Sequence, residues 1–159
     1  MNILYGNISL QPGICITGAE WEALSPDVFK GPSAGIVAIR EMYNIADRPL
    51  SATALKLMGC SPEELAGLAS KFARGGIDII KDDHGLANQD FAPFDKRLQA
   101  CSKAVHEAEG GSHYYPNITA FASDALDRYQ MAAEQGADGV LLCPHIAGLE
   151  TMHRLALLD

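Results

Sequence analysis

The feature that most constrains the fold is a junction between a helix pattern and a strand pattern that occurs twice. Residues 74–79 read RGGIDI, and residues 135–140 read QGADGV. In each, a glycine suited to end a helix precedes an apolar run typical of a buried strand. The chain therefore repeats a strand–helix unit of roughly thirty residues, which is the size of a βαβ element and predicts a parallel sheet.

Further signals place the elements around these junctions. Residues 61–64 read SPEE, with a capping serine, a proline at the first helical position and acidic side chains near the helix dipole. Helices are predicted from 31–33 to before 48–49, from 61 to 75–76, and over 94–108, 123–135 and 148–158, and strands over 50–57, 77–80, 114–119 and 139–143. Two helices have predicted inward stripes, Leu65, Leu68, Ala69 and Phe72 in one and Phe94, Leu98, Cys101 and Val105 in the other. Residues 1–30 form an irregular lead-in, with 3–5 and 14–16 as candidate short strands.

Four parallel strands in this pattern leave two α/β architectures open. An open flavodoxin-like sheet and the first half of a (β/α)8 barrel both fit, and periodicity does not separate them. In either case the carboxyl ends of the strands carry the functional groups. The chain contains neither GxGxxG nor GxxxxGK[ST], so no dinucleotide or P-loop site is indicated.

The strand over 77–80 ends in four consecutive ionisable residues, 81–84, with the sequence KDDH. Side chains alternate in an extended chain, so Lys81 and Asp83 are predicted to project to one side and Asp82 to the other. Lys81, Asp83 and His84 are therefore the candidate site. The alternative is an exposed turn in which the lysine and the aspartates only neutralise one another.

Composition limits the partners of the chain. Its 159 residues are 48% hydrophobic and 20% charged, a globular balance. A formal charge of −8 and a pI near 5.0 argue against nucleic acid and anionic membranes, although single basic side chains can hold a small anionic substrate. No run has the length of a membrane span and no basic signal region begins the chain, which favours the cytoplasm. Cys15, Cys60, Cys101 and Cys143 stand singly, which predicts reduced, mostly buried thiols.

Four stretches, at 31–36, 48–50, 75–83 and 117–119, resemble the large subunit of ribulose-bisphosphate carboxylase (RuBisCO) and, within that family, the RuBisCO-like proteins. The segment GGIDIIKDD is the most specific of them. The resemblance implies an α/β fold, the first half of a (β/α)8 TIM barrel with about four parallel βα units. Residues 1–30 would end the family's N-terminal domain and linker, and 31–159 would be a partial barrel domain.

The resemblance also implies roles for individual residues. Lys81 matches the lysine that the family carbamylates with CO2, Asp83 matches a Mg²⁺ ligand, and His84 stands where carboxylases have a ligating glutamate. Lys56 best matches the enolising lysine, with a one-residue deletion, and the second lysine of that loop is missing near Leu57 and Met58. The implied catalytic residues are Lys56, Lys81 and His84; the substrate-binding residues are Lys56, Asn117 and His145; and the metal ligands are Lys81, Asp83 and His84. Asn117 can equally satisfy a loop backbone and His145 can be structural.

These roles imply a function for the full-length protein, namely Mg²⁺-dependent enolisation or isomerisation of a phosphorylated ketose such as 5-methylthioribulose 1-phosphate, without carboxylation. The alternatives are a 2,3-diketo-5-methylthiopentyl-1-phosphate enolase and a catalytically incomplete fragment or interaction module. A homodimer is expected for the full-length protein. The 159 residues alone are predicted not to turn over substrate, because in the family the phosphate-binding loops follow later strands and a partner subunit completes the site.

Overall fold

The chain divides into two compact units, Met1–Ser33 and Ala34–Asp159. The computed structural model describes residues 6–18, 20, 31–56 and 58–158. The first unit contains a 3-10 helix, Asn7–Leu10. The candidate strand at 14–16 does not form, and the one at 3–5 lies outside the described residues. That residues 1–30 end an N-terminal domain stays a prediction.

The second unit alternates strands and helices. Its elements are α1 (Ile36–Met42), β1 (Ala52–Leu55), α2 (Pro62–Arg74), β2 (Ile79–Asp82), α3 (Phe94–His106), β3 (His113–Tyr115), α4 (Ala122–Glu134), α5 (Pro144–Ala147) and α6 (Leu149–Ala156). The five predicted helices are present, although α1 begins later than expected, and β2 lies two residues further along the chain than predicted. Within the described ranges, no helix combines the length and the apolarity needed to cross a membrane.

The sheet is parallel, and its strands lie in the order β1-β2-β3. Leu55 pairs with Asp82, and Lys81 pairs with Tyr115. A flavodoxin-like sheet would place β1 between β2 and β3. The sequential order is instead that of a barrel, so the structure decides between the two architectures that the sequence left open.

The predicted fourth strand at 139–143 is wrong as a strand, because only Leu141 makes a bridge, parallel to Asn117. Leu141 donates its N–H to Pro116 O at 2.9 Å, and its carbonyl accepts from Ile118 N at 2.9 Å. Extending this ladder toward Gly139 would require a donor at Pro116, which has no N–H. At the other end, Cys143 N donates to the Thr119 hydroxyl at 2.9 Å rather than to a neighbouring strand. Pro116 also follows the last residue of β3, which is shorter than predicted.

The two helix–strand junctions have the same backbone geometry. After α2, Gly76 N donates to Ala73 O and Ile77 N donates to Phe72 O. After α4, Gly136 N donates to Ala133 O and Ala137 N donates to Ala132 O. Both glycines have positive φ, +81° and +70°, so each junction is a Schellman motif that favours glycine. The helix-ending part of the repeat that was read from the sequence is therefore present in the structure at both places, one residue later at the first junction than the aligned letters indicate, whereas the strand after the second junction is only a bridge.

The core lies between the helices and one face of the sheet. Leu55, Ile80 and Tyr114 from the three strands pack with the inward side chains of the helices. Of the predicted stripes, Leu65, Ala69, Phe94, Leu98, Cys101 and Val105 are buried, and Leu68 and Phe72 pack against them partly buried. Only Cys101 among the four cysteines is buried, and Cys15 is exposed, so the expectation of mostly buried thiols is wrong. Exposure of Cys15 follows from its position in the lead-in, outside this core.

Candidate active site at the carboxyl end of the sheet

The charged segment at residues 81–84 begins inside β2, which ends at Asp82. Burial along β2 alternates, with Ile80 and Asp82 buried and Ile79 and Lys81 half-buried. Asp82 thus lies on the face that the helices cover, and Lys81 lies on the opposite face. This is the division between the two sides that alternation predicted, and it leaves Lys81 on the face where a closed barrel has its interior.

The side chain of Lys81 forms a hydrogen bond with the backbone. Its ammonium donates to the carbonyl of Asp82 at 3.1 Å. In the part of the chain that the structure describes, it forms no ion pair with a carboxylate. The alternative in which lysine and aspartate neutralise each other in a turn is therefore absent from this geometry.

Asp83 and His84 start the loop that follows β2. Asp83 is half-buried and its Oδ2 accepts from Gly85 N at 3.2 Å, while His84 is exposed. The side-chain amide of Asn117 donates to the carbonyls of Asp83 and His84, at 3.2 and 3.0 Å. Its Oδ1 accepts from Thr119 N at 3.1 Å. Asn117 thus supports the backbone beneath the candidate site, and its assignment to substrate binding stays a prediction.

Lys56 and His145 lie at the same end of the sheet. Because Leu55 pairs with Asp82, Lys56 leaves β1 next to the point where Asp83 leaves β2. Lys56 is exposed. His145 is exposed on the short helix α5, beyond the bridge at Leu141. The structure therefore brings Lys56 to the edge that carries Lys81 and Asp83, and places His145 on the neighbouring segment.

The side chains at the candidate site fit a metal ion only if Lys81 is carbamylated. Among residues 6–18, 20, 31–56 and 58–158, no three His, Cys, Asp or Glu side chains form a group that could hold one. Asp83 offers one carboxylate, and the carboxylate of Asp82 is bonded to Arg97 at 3.0 Å. Mg²⁺ prefers several oxygen ligands, so these residues fit it only if carbamylation gives Lys81 oxygen atoms as well.

A buried network beneath the site was missed at the sequence level. Asp82 Oδ2 accepts from Arg97 Nε at 3.0 Å and from Asn117 N at 2.8 Å, and Oδ1 accepts from the Tyr114 hydroxyl at 2.8 Å. Arg97 and Asp82 are completely buried. The signal for Arg97 was its place between Phe94 and Leu98 in the apolar stripe of α3, where a charged residue needs a partner.

Burial governs the electrostatics of this network. It raises the pKa of Asp82, against the opposing effects of Arg97 and of the hydrogen bonds from Asn117 and Tyr114. It also raises the pKa of the Tyr114 hydroxyl, and the negative charge of Asp82 acts in the same direction. The pKa of the Cys101 thiol rises to about 12, mainly through burial. These groups are therefore structural in character and face away from the candidate site.

A family model described as "Ribulose bisphosphate carboxylase large chain, catalytic domain" matches residues 35–156 of this chain. The chain belongs to the RuBisCO large-chain family. The chain is also similar to a crystal structure of a Rubisco-like protein from Rhodopseudomonas palustris, with a TM-score of 0.86 and 38% identity, covering 99% of this chain and 46% of that one. The resemblance read from the sequence and the partial barrel it implied are confirmed.

Relatives in the RuBisCO family have several names. Ribulose bisphosphate carboxylase-like protein 1 of Rhodopseudomonas palustris is 38% identical over 160 residues, which cover 98% of this chain and 44% of the relative. The 5-methylthioribulose-1-phosphate isomerase of Rhodospirillum rubrum is 36% identical over 157 residues, covering 96% and 42%. The 2,3-diketo-5-methylthiopentyl-1-phosphate enolase of Bacillus velezensis is 31% identical over 163 residues, covering 98% and 40%. The chain thus spans less than half the length of these relatives.

Proposed function

We propose that these residues form part of a RuBisCO-like enzyme, including the first half of its barrel, and that this enzyme isomerises or enolises a phosphorylated ketose, such as 5-methylthioribulose 1-phosphate. The observation that carries the proposal is the half-buried Lys81, which has no carboxylate partner among the described residues and lies beside Asp83 at the carboxyl end of β2. The isomerase named above is more similar to this chain than the enolase, at 36% against 31% identity. A cytoplasmic homodimer is part of the proposal for the full-length protein.

The proposed role of Lys81 is to become a carbamate. Its neutral amine attacks the carbon of CO2, a nitrogen–carbon bond forms, one carbon–oxygen π bond opens with its electron pair moving to oxygen, and one proton leaves the nitrogen for solvent. The product has two oxygen atoms and a negative charge, and with Asp83 it supplies ligands for Mg²⁺. Because anions crowded at a strand end repel each other, carbamylation and cation binding should depend on one another.

The bound cation would polarise the substrate carbonyl. Lys56 is proposed to take the proton from the adjacent carbon, since it follows β1 at the edge that carries Lys81. His84 is proposed either to complete the ligand set or to act as a general acid or base. Asn117 and His145 are proposed substrate contacts. Carboxylation is not proposed, because the second lysine of the loop after β1 is absent.

The test of the metal site uses ¹³C-bicarbonate and the full-length gene product, beside the 159-residue chain. A lysine carbamate resonance should appear with Mg²⁺, disappear in Lys81→Ala, and persist in Lys103→Ala, a matched change of an exposed lysine on α3. Bicarbonate-independent metal binding that survives Lys81→Ala would end the carbamate proposal. Unchanged metal affinity in His84→Ala would remove only the histidine from the ligands.

The test of the reaction is exchange of the substrate α-proton with deuterated solvent. The isomerase proposal expects exchange on 5-methylthioribulose 1-phosphate and its loss in Lys56→Ala. Exchange confined to the diketo phosphate would favour the enolase instead.

A second candidate function is an interaction module without activity of its own. It is favoured by the outer edge of β1, which pairs with no strand among the described residues, and by the single bridge at Leu141. The open half-barrel predicts self-association of the 159-residue chain in analytical ultracentrifugation under either function. The module alone predicts no proton exchange in the full-length gene product.

A further inference from the structure

We propose that Arg97 and Asp82 are positioning residues, which hold the loop over residues 83–93 so that Asp83 and His84 face the proposed metal site. Neither side chain reaches the face of the sheet on which Lys81 lies, so neither is proposed as a ligand or as a catalytic group. The inference rests on the proposed function for the chemistry of the site, and on the hydrogen bonds below for the way the site is held.

Arg97 binds the loop at several points through a single guanidinium group. It donates to Ala92 O at 2.9 Å, to Ala87 O at 2.9 Å and to Leu86 O at 3.3 Å. Its Nε donates to the Asp82 carboxylate at 3.0 Å. One planar group therefore joins the last residue of β2 to both the middle and the end of the loop that follows.

Asp82 extends this arrangement to the next strand. The carboxylate accepts from the Tyr114 hydroxyl in β3 and from the backbone N–H of Asn117, both at 2.8 Å. Asn117 in turn holds the carbonyls of Asp83 and His84 through its side-chain amide. A continuous set of hydrogen bonds thus runs from α3 through Asp82 to the backbone of the two candidate ligands.

Stability alone is a weak reason to place an ion pair here. Removing two charges from water is costly, and well-packed apolar side chains often stabilise such a position as well or better. Arg97 occupies a position in the apolar stripe of α3 that a leucine or methionine fits by pattern. An apolar residue has no donors for the three loop carbonyls and the Asp82 carboxylate. Arginine is therefore needed here to hold the loop in place.

The experiment compares Arg97→Lys with Arg48→Lys, the same change in the ion pair at the other end of β2. Lysine keeps the charge but loses the planar set of donors. Divalent-cation affinity is measured with Mn²⁺ and bicarbonate in the full-length gene product, and amide hydrogen exchange is measured in the same samples. Arg97→Lys should weaken Mn²⁺ binding about 10- to 100-fold, as residues behind metal ligands commonly do. Arg48→Lys should change it by less than about twofold.

Equal Mn²⁺ affinity in Arg97→Lys and the wild type would overturn the positioning role. If the wild type binds no Mn²⁺ at any bicarbonate concentration, the proposed function fails, and hydrogen exchange decides the positioning role separately. Faster exchange of the Leu86 and Ala92 amides in Arg97→Lys, without faster exchange in β2, then supports it. Unchanged exchange at both amides overturns it.

A measurement on the wild type covers the case in which Arg97→Lys does not fold. The Leu86 and Ala92 amides donate within the loop, to Asp83 O and to Gln89 O, each at 3.0 Å. If the buried network holds this loop, both amides should exchange nearly as slowly as those of β2. Exchange several orders of magnitude faster than in β2 would overturn the proposal without any variant.

Discussion

The two ends of β2 each have an arginine–aspartate pair, and the pairs differ mainly in burial. Before the strand, Arg48 Nη2 lies 2.6 Å from Asp78 Oδ1, with the side chains 55% and 8% exposed. At the end of the strand, Arg97 Nε lies 3.0 Å from Asp82 Oδ2, with both side chains 0% exposed. Hydrogen bonding to Arg48 holds the pKa of Asp78 well below its usual range, whereas burial raises the pKa of Asp82.

The difference shows that burial decides what an ion pair can contribute. In the partly exposed pair, the guanidinium of Arg48 stays in contact with water, so both side chains remain charged at little cost. The carboxylate of Asp78 also accepts hydrogen bonds from the amide and the hydroxyl of Ser51. The buried pair has lost its hydration and is compensated only by its fixed partners. We therefore expect the first pair to stabilise the fold through its charges and the second to act mainly through the geometry of its fixed partners.

The largest expected effect comes from breaking the buried pair. Asp82→Ala leaves the Arg97 charge without its carboxylate inside the core and should lower the free energy of unfolding by about 3–5 kcal/mol. Urea denaturation followed by circular dichroism measures this loss. Asp78→Ala, the same change at the partly exposed pair, should cost clearly less, because it leaves the Arg48 guanidinium in contact with water. Equal losses at the two sites would contradict the role assigned to burial.

A double-mutant cycle sharpens the comparison. Combining Asp82→Asn with Arg97→Gln should give a coupling energy between the two side chains of about 0.5–3 kcal/mol, since they touch and share partners. Asp78→Asn with Arg48→Gln should give a smaller coupling, because water screens the exposed guanidinium. The cycles are measured by denaturation at one pH and one salt concentration. A larger coupling at the exposed pair would reverse the interpretation.

The pH dependence of stability should differ in sign between the two aspartates. Asp78 has a lowered pKa in the folded state, so its contribution is present above the unfolded pKa of about 3.9 and is lost as the pH falls below it. Asp82 has a raised pKa, so its contribution is present below about 3.9 and is lost as the pH rises through the folded value.

Denaturation midpoints between pH 3 and pH 7 test this for each Asn variant. Asp78→Asn should weaken the loss of stability on acidification, and Asp82→Asn should weaken the loss on raising the pH. If both variants changed the pH dependence of stability in the same direction, the opposite effects assigned to Asp78 and Asp82 would be wrong.

The smallest expected effect is a change in the reactivity of Cys101. Burial and a pKa of about 12 should make this thiol inert to alkylating reagents at neutral pH, while the exposed Cys15 reacts. Arg97→Lys should raise the labelling rate of Cys101, and Arg48→Lys should leave it unchanged. Labelling is followed by mass spectrometry of digested protein. Rapid labelling of Cys101 in the wild type would contradict the close packing of the core around Cys101.

Local patterns in the sequence determined most of the helices and the repeated junctions. The capping serine predicted at residue 61 is present, since the Ser61 side chain accepts from Glu64 N; the structure adds a capping box, because the Glu64 side chain also accepts from Ser61 N. Both glycine junctions have the expected helix-ending geometry. The position of the KDDH segment at the end of β2 was also predictable. These features depend on residues a few positions apart, so periodicity and capping are enough to indicate them.

Only the tertiary structure decided which residues meet across elements. The strand order chose a barrel over an open sheet, and Pro116 reduced the fourth strand to one bridge because the ladder needed its missing N–H. Arg97 and Asp82 lie fifteen positions apart in the chain, yet they form the buried pair beneath the candidate site. The physical reason is register: a local pattern states which side chains face the core, whereas the alignment between strands and helices decides which of them touch.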